Sequence, residues 1–275
     1  MRLLDRLLGS LEARLSQPWL NLWRTIYFNF RTLPYKQAVR FPIYIYGGHK
    51  FFMLNGNVAI TASHIKRGMI KIGVNGDSFS LYDGSGYIQI ANKKSVIEFQ
   101  GPCRIALNTK IRVVSGRIVF GTHARIGSDS RIICNGGRVS IGAFTGVTFG
   151  CQIINSGFHY IYDANRKGYL NRTKDITIGP YNWIGNNATV SGGTVTNEKT
   201  IVCQRSVLNK DYSGVPIPSM LGGMPAKVVR TGLYRVFAPE VEVRVSKLFA
   251  NDANVGDFVS HDEYADDASS LIIEM

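Results

Sequence analysis

The stretch FGTHARIGSDSRIICNGGRVSIGAFTGVTFGCQII, Phe120 to Ile154, places a large apolar residue at every sixth position. Phe120, Ile126 and Ile132 form one trio with this spacing, and Ile141 opens the next trio after three additional residues. A step of six is too short for a helix pair or a propeller blade, but it fits a coil of three short strands. The stretch therefore predicts an all-β solenoid of stacked parallel strands, with one large side chain pointing inward in each strand.

The spacing continues on both sides of this stretch. Phe99, Phe120 and Ile141 open three equal units, each made of three sixes and a short insertion, and after a polar interruption the sixes resume from Ile178 to Leu208 without insertions. Shorter apolar runs near Val58–Ile60, Met69–Ile72 and Tyr87–Ile90 predict irregular early coils. Small residues that would permit sharp corners follow most lead positions by four, at Cys103, Thr109, Ser115, Ala124, Ser130, Gly136, Thr145, Cys151, Gly157, Ala188, Thr194, Thr200 and Ser206, and Asn182 fits less well.

Charge is unevenly distributed along the 275 residues. The chain has 32 Lys and Arg against 19 Asp and Glu, a net charge of +13, whereas residues 232–275 alone carry nine acids and three bases. The body is therefore strongly basic, which favours acidic or phosphorylated partners such as a nucleotide cofactor, an anionic membrane or an acidic glycan. The aromatic and basic residues match no nucleic-acid reader module, so nucleic-acid binding is not expected.

The N-terminal segment combines leucines, aromatics and bases. Leu3 to Leu15 have helical spacing, which predicts an amphipathic helix, and aromatic and basic residues such as Trp19, Trp23 and Arg24 follow. Two interpretations remain open: a peripheral membrane contact at the lipid headgroups, and a helical cap packed on the fold.

Cysteine usage and apolar runs indicate where the protein works. The four cysteines have no tight metal-ligand spacing, and Cys134 and Cys151 fall at packed positions of the repeat. No stretch reaches the roughly 18 apolar residues of a membrane span. These features predict a cytoplasmic protein, either free or at the inner face of the membrane, with no metal.

The repeats and two motifs carry a family resemblance. ITIGPYNWIGNNATV (Ile176–Val190) and GGMPAKVVR (Gly222–Arg230), together with the sixes, resemble segments of the hexapeptide-repeat acyltransferases. The segment IYFNFRTLPYKQAVRFPIYIY and the single-histidine loop are most similar to bacterial sugar and polysaccharide O-acetyltransferases. The resemblance implies a left-handed parallel β-helix, a homotrimer, acetyl-CoA as co-substrate between adjacent helices, and a glycan or a nucleotide- or lipid-linked sugar as acceptor.

His159 is the predicted catalytic residue. It lies at the edge of the polar interruption, and a neutral imidazole can take the proton of a sugar hydroxyl near neutral pH. The resemblance implies that this histidine is the general base and that the acetyl group passes directly between substrates in a ternary complex. Asp163, Asn155 and Asp129 are open candidates for orienting the ring.

Residue chemistry predicts where the acceptor binds, because tyrosine rings can stack on sugar faces, and the resemblance implies the CoA groove. Near the interruption, Tyr160, Tyr162 and Asp163 are the predicted acceptor-binding residues, and the tyrosines are equally compatible with a trimer contact. The predicted CoA groove comprises Trp183, Gly185, Asn186, Gln204, Asn209, Lys210, Lys227 and Arg230. Gln204 and Arg205 stand where the family often has small residues, so they either narrow the pantetheine path or add contacts to it.

The predicted organisation has three parts. These are an aromatic and basic segment (1–45), a β-helix domain (46–230) with an extruded loop at 158–175, and an irregular acidic extension (231–275) that either caps the coil or stays mobile. Alternative functions are sugar N-acylation on the same fold and a non-catalytic scaffold at the membrane surface. A zinc-dependent hydratase is disfavoured, because only His123 and His159 lie in the regular coils, whereas such a site needs about three histidines.

Overall fold

The computed structural model describes residues 18–75, 85–233, 235–237 and 239–251. The chain divides into two compact units, Met1–Leu233 and Tyr234–Met275. The helices are α1 (Leu22–Thr32), α2 (Tyr35–Ala38) and α3 (Pro239–Asn251). The strands are β1 (Ile43–Ile45), β2 (Lys50–Leu54), β3 (Asn57–Ile60), β4 (Ile70–Val74), β5 (Tyr87–Ile90), β6 (Val96–Phe99), β7 (Cys103–Ala106), β8 (Lys110–Phe120), β9 (Ala124–Ile126), β10 (Arg131–Ile141), β11 (Gly146–Val147), β12 (Gln152–Ile154), β13 (Ile161–Asp163), β14 (Gly168–Leu170), β15 (Ile176–Ile178), β16 (Trp183–Ile184), β17 (Thr189–Ser191), β18 (Ile201–Val202), β19 (Val207–Leu208), β20 (Ser219–Gly223) and β21 (Ala226–Thr231).

The strands of the first unit stack in three faces, which we call A, B and C in the order in which a coil passes through them. Face A joins β3 and β6 to β15 through the second halves of β8 and β10. Face B follows the order β1, β4, β7, β9, β11, β16, β18 and β20, and β21 pairs antiparallel with β20 at its end. Face C contains β2, β5, the first halves of β8 and β10, β12, β17 and β19.

The strand register reproduces the sequence repeat. Arg131 lies opposite Gln152, so this turn contains three sixes and the short insertion, whereas Trp183 lies opposite Ile201, so this turn contains three sixes alone. Between these two blocks Gly146 pairs with Trp183, a much longer turn, because the polar interruption is inserted there. The predicted parallel β-helix architecture is therefore confirmed, and the irregular early coils contain β3, β4 and β5 where the apolar runs predicted them.

The predicted lead positions form the core. Each of them from Phe99 to Leu208 is buried, and the apolar ones belong to one cluster that runs from Phe28 to Ala226. Asn182, the poor fit at a corner, is buried too, and its Nδ2 donates to the carbonyls of Gly179 and Asn197, each at 2.8 Å. These hydrogen bonds explain why an amide is tolerated at that corner.

Adjacent coils approach closely at the glycines that follow the lead positions. A Cβ on Gly142 would lie 2.5 Å from the carbonyl carbon of Gly179, and a Cβ on Gly185 would lie 2.6 Å from the carbonyl oxygen of Val202. Both distances are below any van der Waals contact, so a side chain at either position would push two coils apart. Glycine is required there by the stacking itself.

The prediction for the N-terminal end cannot be compared with the structure, and the prediction for the C-terminal end differs from it. The predicted helix over Leu3–Leu15 is outside the described residues. The extension after residue 231 was predicted to be irregular, and this is wrong for α3. Valines alternate at 241, 243 and 245, a period typical of strands, yet the segment begins with Pro239, a residue favoured at the first helical position.

Candidate functional site

A β-hairpin projects from the corner between faces C and A. The chain leaves the coil at Ser156 and returns at Thr173, which form an antiparallel bridge, and Gly157 N donates to Arg172 O at 2.9 Å. The Thr173 hydroxyl lies 3.0 Å from both Asn135 O and Ser156 Oγ. Strands β13 and β14 continue the hairpin outward, so the polar interruption in the sequence is an ordered projection with a fixed root.

Asn155 fixes that root from beneath. Its side chain is 1% exposed, its Nδ2 donates to Gly136 O at 2.6 Å, and its Oδ1 accepts from Asn135 N at 2.9 Å. Its carbonyl accepts from Lys174 N at 3.0 Å. The amide therefore ties the turn before the hairpin to the turn below it, and it is not directed at His159.

His159 lies just beyond the root, between Gly157 and β13, and its side chain is exposed. Among the residues that the structure describes, none forms a hydrogen bond with the imidazole. The flanking aromatics are held by arginines: the Arg112 guanidinium is 5.9 Å from the Phe158 ring centroid, and the Arg172 guanidinium is 4.6 Å from that of Tyr160. The histidine is thus an exposed residue next to the fixed root of the hairpin.

The predicted acceptor-binding residues lie on the hairpin. Tyr160 and Tyr162 are 63% and 54% exposed, and the Tyr162 ring packs edge-on against Tyr169 at 5.2 Å. Asp163 Oδ1 accepts from the backbone nitrogens of Asn165 and Arg166, both at 3.0 Å. Asp163 therefore holds the hairpin turn, and two tyrosines present their rings to solvent.

The third candidate for orienting His159 lies at a different corner. Asp129 follows face B, where its Oδ1 is hydrogen-bonded to Asn108 Nδ2, while its buried Oδ2 has no partner among the described residues. None of the three candidates forms a hydrogen bond with the His159 ring. The contact of Arg112 with Phe158 was not predicted, because Arg112 lies 46 residues earlier in the sequence and only the stacking of coils brings it near.

Trp183 lies in a straight column of outward-facing residues on face B. The strand register places Lys71, Arg104, Arg125, Gly146 and Trp183 side by side in successive coils. Neighbouring strands in a sheet are about 4.8 Å apart, so the three cations follow one another closely. All three are exposed, whereas Gly146, which lies between Arg125 and Trp183 in the column, has no side chain and is buried.

The next predicted groove residues are Gly185 and Asn186, which follow Trp183 on its own coil, and Gln204 on the adjacent coil. Gly185 N donates to Val202 O at 2.8 Å, and Asn186 O accepts from Arg205 N at 2.8 Å. The Asn186 side chain is half-buried and Gln204 is exposed. The backbones of these residues stack the coils, and the two amide side chains line the edge of face B beyond the tryptophan.

Cationic side chains gather at the C-terminal end of the solenoid. Lys210 Nζ is 5.4 Å from the Tyr212 ring centroid, and the Tyr212 hydroxyl donates to Ala226 O at 3.1 Å. On the hairpin of β20 and β21, Lys227 lies opposite Gly222 and Arg230 lies opposite Met220. Asn209, Lys210, Lys227 and Arg230 are all exposed at this end.

One chain does not bring His159 and Trp183 together. The histidine is at the corner between faces C and A, whereas the tryptophan begins a strand of face B. Strand β15 and the corner Gly179–Asn182 separate them along the coil. Within a single chain, the predicted base and the predicted CoA groove therefore belong to different edges of the solenoid.

The structure also bears on metal binding and membrane insertion. No group of three or more His, Cys, Asp or Glu side chains in the described part of the chain could hold a metal ion. Of the helices between residues 18 and 251, none is both long and apolar enough to cross a bilayer.

No family model matches the chain, but curated sequences do. It is similar to polysialic acid O-acetyltransferases. It is 25% identical to the enzyme of Escherichia coli O1:K1 over 135 aligned residues, and this alignment covers 47% of this chain and 43% of that protein. It is 23% identical over 149 residues to the Neisseria meningitidis enzyme, which covers 54% of this chain and 59% of that protein. The matches thus span about half of these relatives' lengths, and they confirm the predicted resemblance.

Solved structures give a further comparison. The polysialic acid-specific acetyltransferase NeuO is 21% identical with a TM-score of 0.45, over 76% of this chain and 97% of that one. A hexapeptide-repeat acetyltransferase from Vibrio cholerae, solved with acetyl-CoA, is 24% identical with a TM-score of 0.36, over 44% of this chain and 64% of that one.

Proposed function

We propose that the protein transfers the acetyl group of acetyl-CoA to a sugar hydroxyl of a surface polysaccharide or its precursor. The observation that carries the proposal is the position of His159, exposed and without a hydrogen-bond partner among the described residues, on a hairpin whose root is fixed by Asn155 and Thr173. The sequence similarity to polysialic acid O-acetyltransferases supports the acyl donor and the acceptor class.

In this proposal His159 is the general base. The neutral imidazole accepts the hydroxyl proton while the hydroxyl oxygen attacks the thioester carbonyl, and the carbon–sulfur bond then breaks. The proton held on the imidazolium passes to the departing thiolate, which leaves as the CoA thiol. No covalent acetyl-enzyme is needed, because both substrates are bound together.

The groove predicted for CoA follows the edge of face B. Trp183, Asn186 and Gln204 offer an indole and two amides beside the path of the pantetheine chain, and Gly185 keeps the next coil close. Lys210, Lys227 and Arg230 are exposed cations at the end of the solenoid, a composition suited to the phosphates of CoA. The residues present therefore fit this co-substrate.

We further propose that the complete site forms between two copies in a homotrimer of left-handed helices. The separation of His159 and Trp183 on one chain supports this arrangement, since the hairpin of one copy would have to meet face B of another. The family resemblance implies the same symmetry and handedness.

The acceptor is proposed to be acidic. Lys71, Arg104 and Arg125 form a continuous cationic column that leads toward Trp183, and the hairpin adds exposed Arg166 and Lys167. A chain of carboxylate-bearing sugars could contact several of these cations at once, whereas a neutral sugar would gain little from them. The cytoplasmic location stays a prediction.

The deciding experiment measures transfer of radiolabelled acetyl groups from acetyl-CoA to polysialic acid, to a neutral glycan and to an amino sugar. We expect His159→Ala to lower kcat by about 10²–10⁴, the usual contribution of a general base, while CoA binding measured by calorimetry persists. His64→Ala removes another exposed histidine and should keep full activity. Full activity of His159→Ala would refute the mechanism, and transfer to the amino sugar alone would replace O-acetylation by N-acylation.

A further inference from the structure

Helix α1 has an inverted polarity relative to an ordinary surface helix. Its buried stripe contains Thr25, Asn29 and Thr32 beside Phe28. Its exposed side contains Leu22, Trp23, Ile26, Tyr27 and Phe30. At about 100° per residue these two sets occupy opposite arcs of the helix. A helix that only capped the solenoid would have the reverse arrangement, with apolar residues inward and polar residues outward.

The inward polar residues have a structural explanation. Asn29 Nδ2 donates to Ile43 O at 2.7 Å, and Ile45 N donates to Thr25 Oγ1 at 3.0 Å. Ile43 and Ile45 belong to β1, the first strand of face B, whose outer edge has no further strand to pair with in the described chain. The side chains of helix α1 therefore form hydrogen bonds with the backbone groups at the open edge of β1. These bonds protect β1 from pairing with a strand of another chain.

Two of the outward residues pack against rings nearby: Tyr27 lies 6.1 Å from Phe51 and Phe30 lies 5.9 Å from Phe41, measured between ring centroids, and both remain partly exposed. Trp19 is 76% exposed and Trp23 is 82% exposed, although indole rings are rarely left in water. Trp23 shares the exposed arc of α1 with Leu22, Ile26, Tyr27 and Phe30, and Trp19 precedes the helix by three residues; we call these six residues the aromatic patch. An apolar patch of this size on a folded domain indicates a binding surface.

The charges around the aromatic patch identify the kind of partner. Arg31, Lys36 and Arg40 are exposed beside it, and the sequence has no acidic residue between Glu12 and Asp77. Trp and Tyr rings with flanking Lys and Arg are the composition that settles at the boundary between lipid headgroups and acyl chains. A second copy of this patch is a poor partner, because a two-fold contact would bring the same cations together without any acids.

We propose that the aromatic patch is a docking surface for a bilayer of anionic lipid. The indoles of Trp19 and Trp23 enter the interface, and Arg31, Lys36 and Arg40 pair with lipid phosphates. The N-terminal end of the solenoid is thereby held at the membrane surface, while the coils that carry the hairpin and Trp183 lie further along the axis. This binding does not depend on the acetyl-transfer reaction, so it can fail or succeed independently of the proposed function.

The test is co-sedimentation of the full chain with vesicles, using phosphatidylglycerol mixed with phosphatidylcholine against phosphatidylcholine alone. We expect binding to the anionic vesicles, and we expect Trp19→Ser/Trp23→Ser to weaken it by about tenfold or more. The matched control, Tyr169→Ser/Phe249→Ser, removes two exposed aromatics elsewhere and should bind within about twofold of the native chain. All four rings are at least 45% exposed, so thermal unfolding should confirm that each variant remains folded.

The charge contribution is tested separately. Lys36→Gln/Arg40→Gln should lower the partition onto anionic vesicles by about 30-fold, and added salt should reduce the native affinity. Lys93→Gln/Lys94→Gln removes the same charge from an exposed corner and should have a much smaller effect. Equal loss in both variants would mean that only net charge matters, which would overturn the assignment of the patch.

Other occupants of the patch would give distinct results. If residues 1–17 cover it, indole emission will already be blue-shifted without lipid, and vesicles will not change it. If a second copy covers it, the mass measured by light scattering will fall in Trp19→Ser/Trp23→Ser. Either result overturns the proposal, and so does a native chain that does not bind anionic vesicles.

Discussion

The regular coils and the projecting hairpin use their residues in opposite ways. In the coils, side chains such as Ile132 point inward and are fully buried, and even glycines are fixed by the backbone of the next coil. In the hairpin, Ile161, Tyr162 and Tyr169 are more than half exposed, and its two strands pair only with each other. The coils therefore provide position, and the hairpin provides accessible chemical groups. His159, the proposed base, lies just beyond the root of the hairpin, where both properties meet.

The largest expected difference between the two regions concerns buried isoleucine. Ile132→Ala should destabilise the protein by about 2–5 kcal/mol, because it leaves a cavity between stacked coils that cannot collapse. Ile161→Ala on β13 should cost less than about 0.5 kcal/mol, since that side chain is 64% exposed. Urea unfolding followed by circular dichroism measures both. Equal costs would show that the hairpin belongs to the cooperative core.

The next prediction concerns the pH dependence of stability in the early coils, which contain a buried histidine. Burial lowers the pKa of His49 to about 4, and the side chain is 1% exposed in an early coil. The folded state favours the neutral ring of His49. The contribution of this neutral ring to the free energy of unfolding is therefore fully present above about pH 6.5 and is lost as the pH falls toward 4. The loss is about 3 kcal/mol at most.

Denaturant unfolding at pH 7 and pH 4 measures this loss. His49→Gln should lose less stability over that range than the native chain, and Ile161→Ala in the hairpin, which removes no titratable group, should lose as much as the native chain. Identical pH dependence in all three proteins would refute the assignment to His49.

The smallest expected difference is in the cost of replacing a glycine by alanine in a coil and in the hairpin. Gly142→Ala should cost about 1–3 kcal/mol, because its Cβ would meet the backbone of the next coil at 2.5 Å. Gly168→Ala in the hairpin should change stability by less than about 0.5 kcal/mol, since the nearest atom to its Cβ would be 3.8 Å away. Thermal unfolding compares the two. A neutral Gly142→Ala would mean that the coils can separate locally at little cost.

Much of the fold and the position of the candidate base could be predicted from the sequence. A repeat of six puts the same side chain in the same environment in every coil, so local patterning and tertiary structure agree. The interruption at Ile154–Gly179 breaks that repeat, and a break in a regular pattern marks a projection. His159 could be assigned to its edge for the same reason.

The details of the site could not be predicted, because they depend on contacts between distant residues. Asp163 was a candidate for orienting His159 from its nearness in sequence, yet its carboxylate accepts hydrogen bonds from its own turn. The contact of Arg112 with Phe158 arises only because face C stacks beneath the hairpin. The inverted polarity of α1 likewise depends on the open edge of β1.

By itself the sequence determined the three-strand coil, its longer and shorter turns, and the place where the chain leaves it, because each follows from a local spacing of large, small and polar residues. The tertiary structure alone decided which side chains meet: the cation column on face B, the fixing of the hairpin root by Asn155, and the separation of His159 from Trp183. These contacts join residues of different coils. They are determined by the strand register, which cannot be predicted from any local pattern in the sequence.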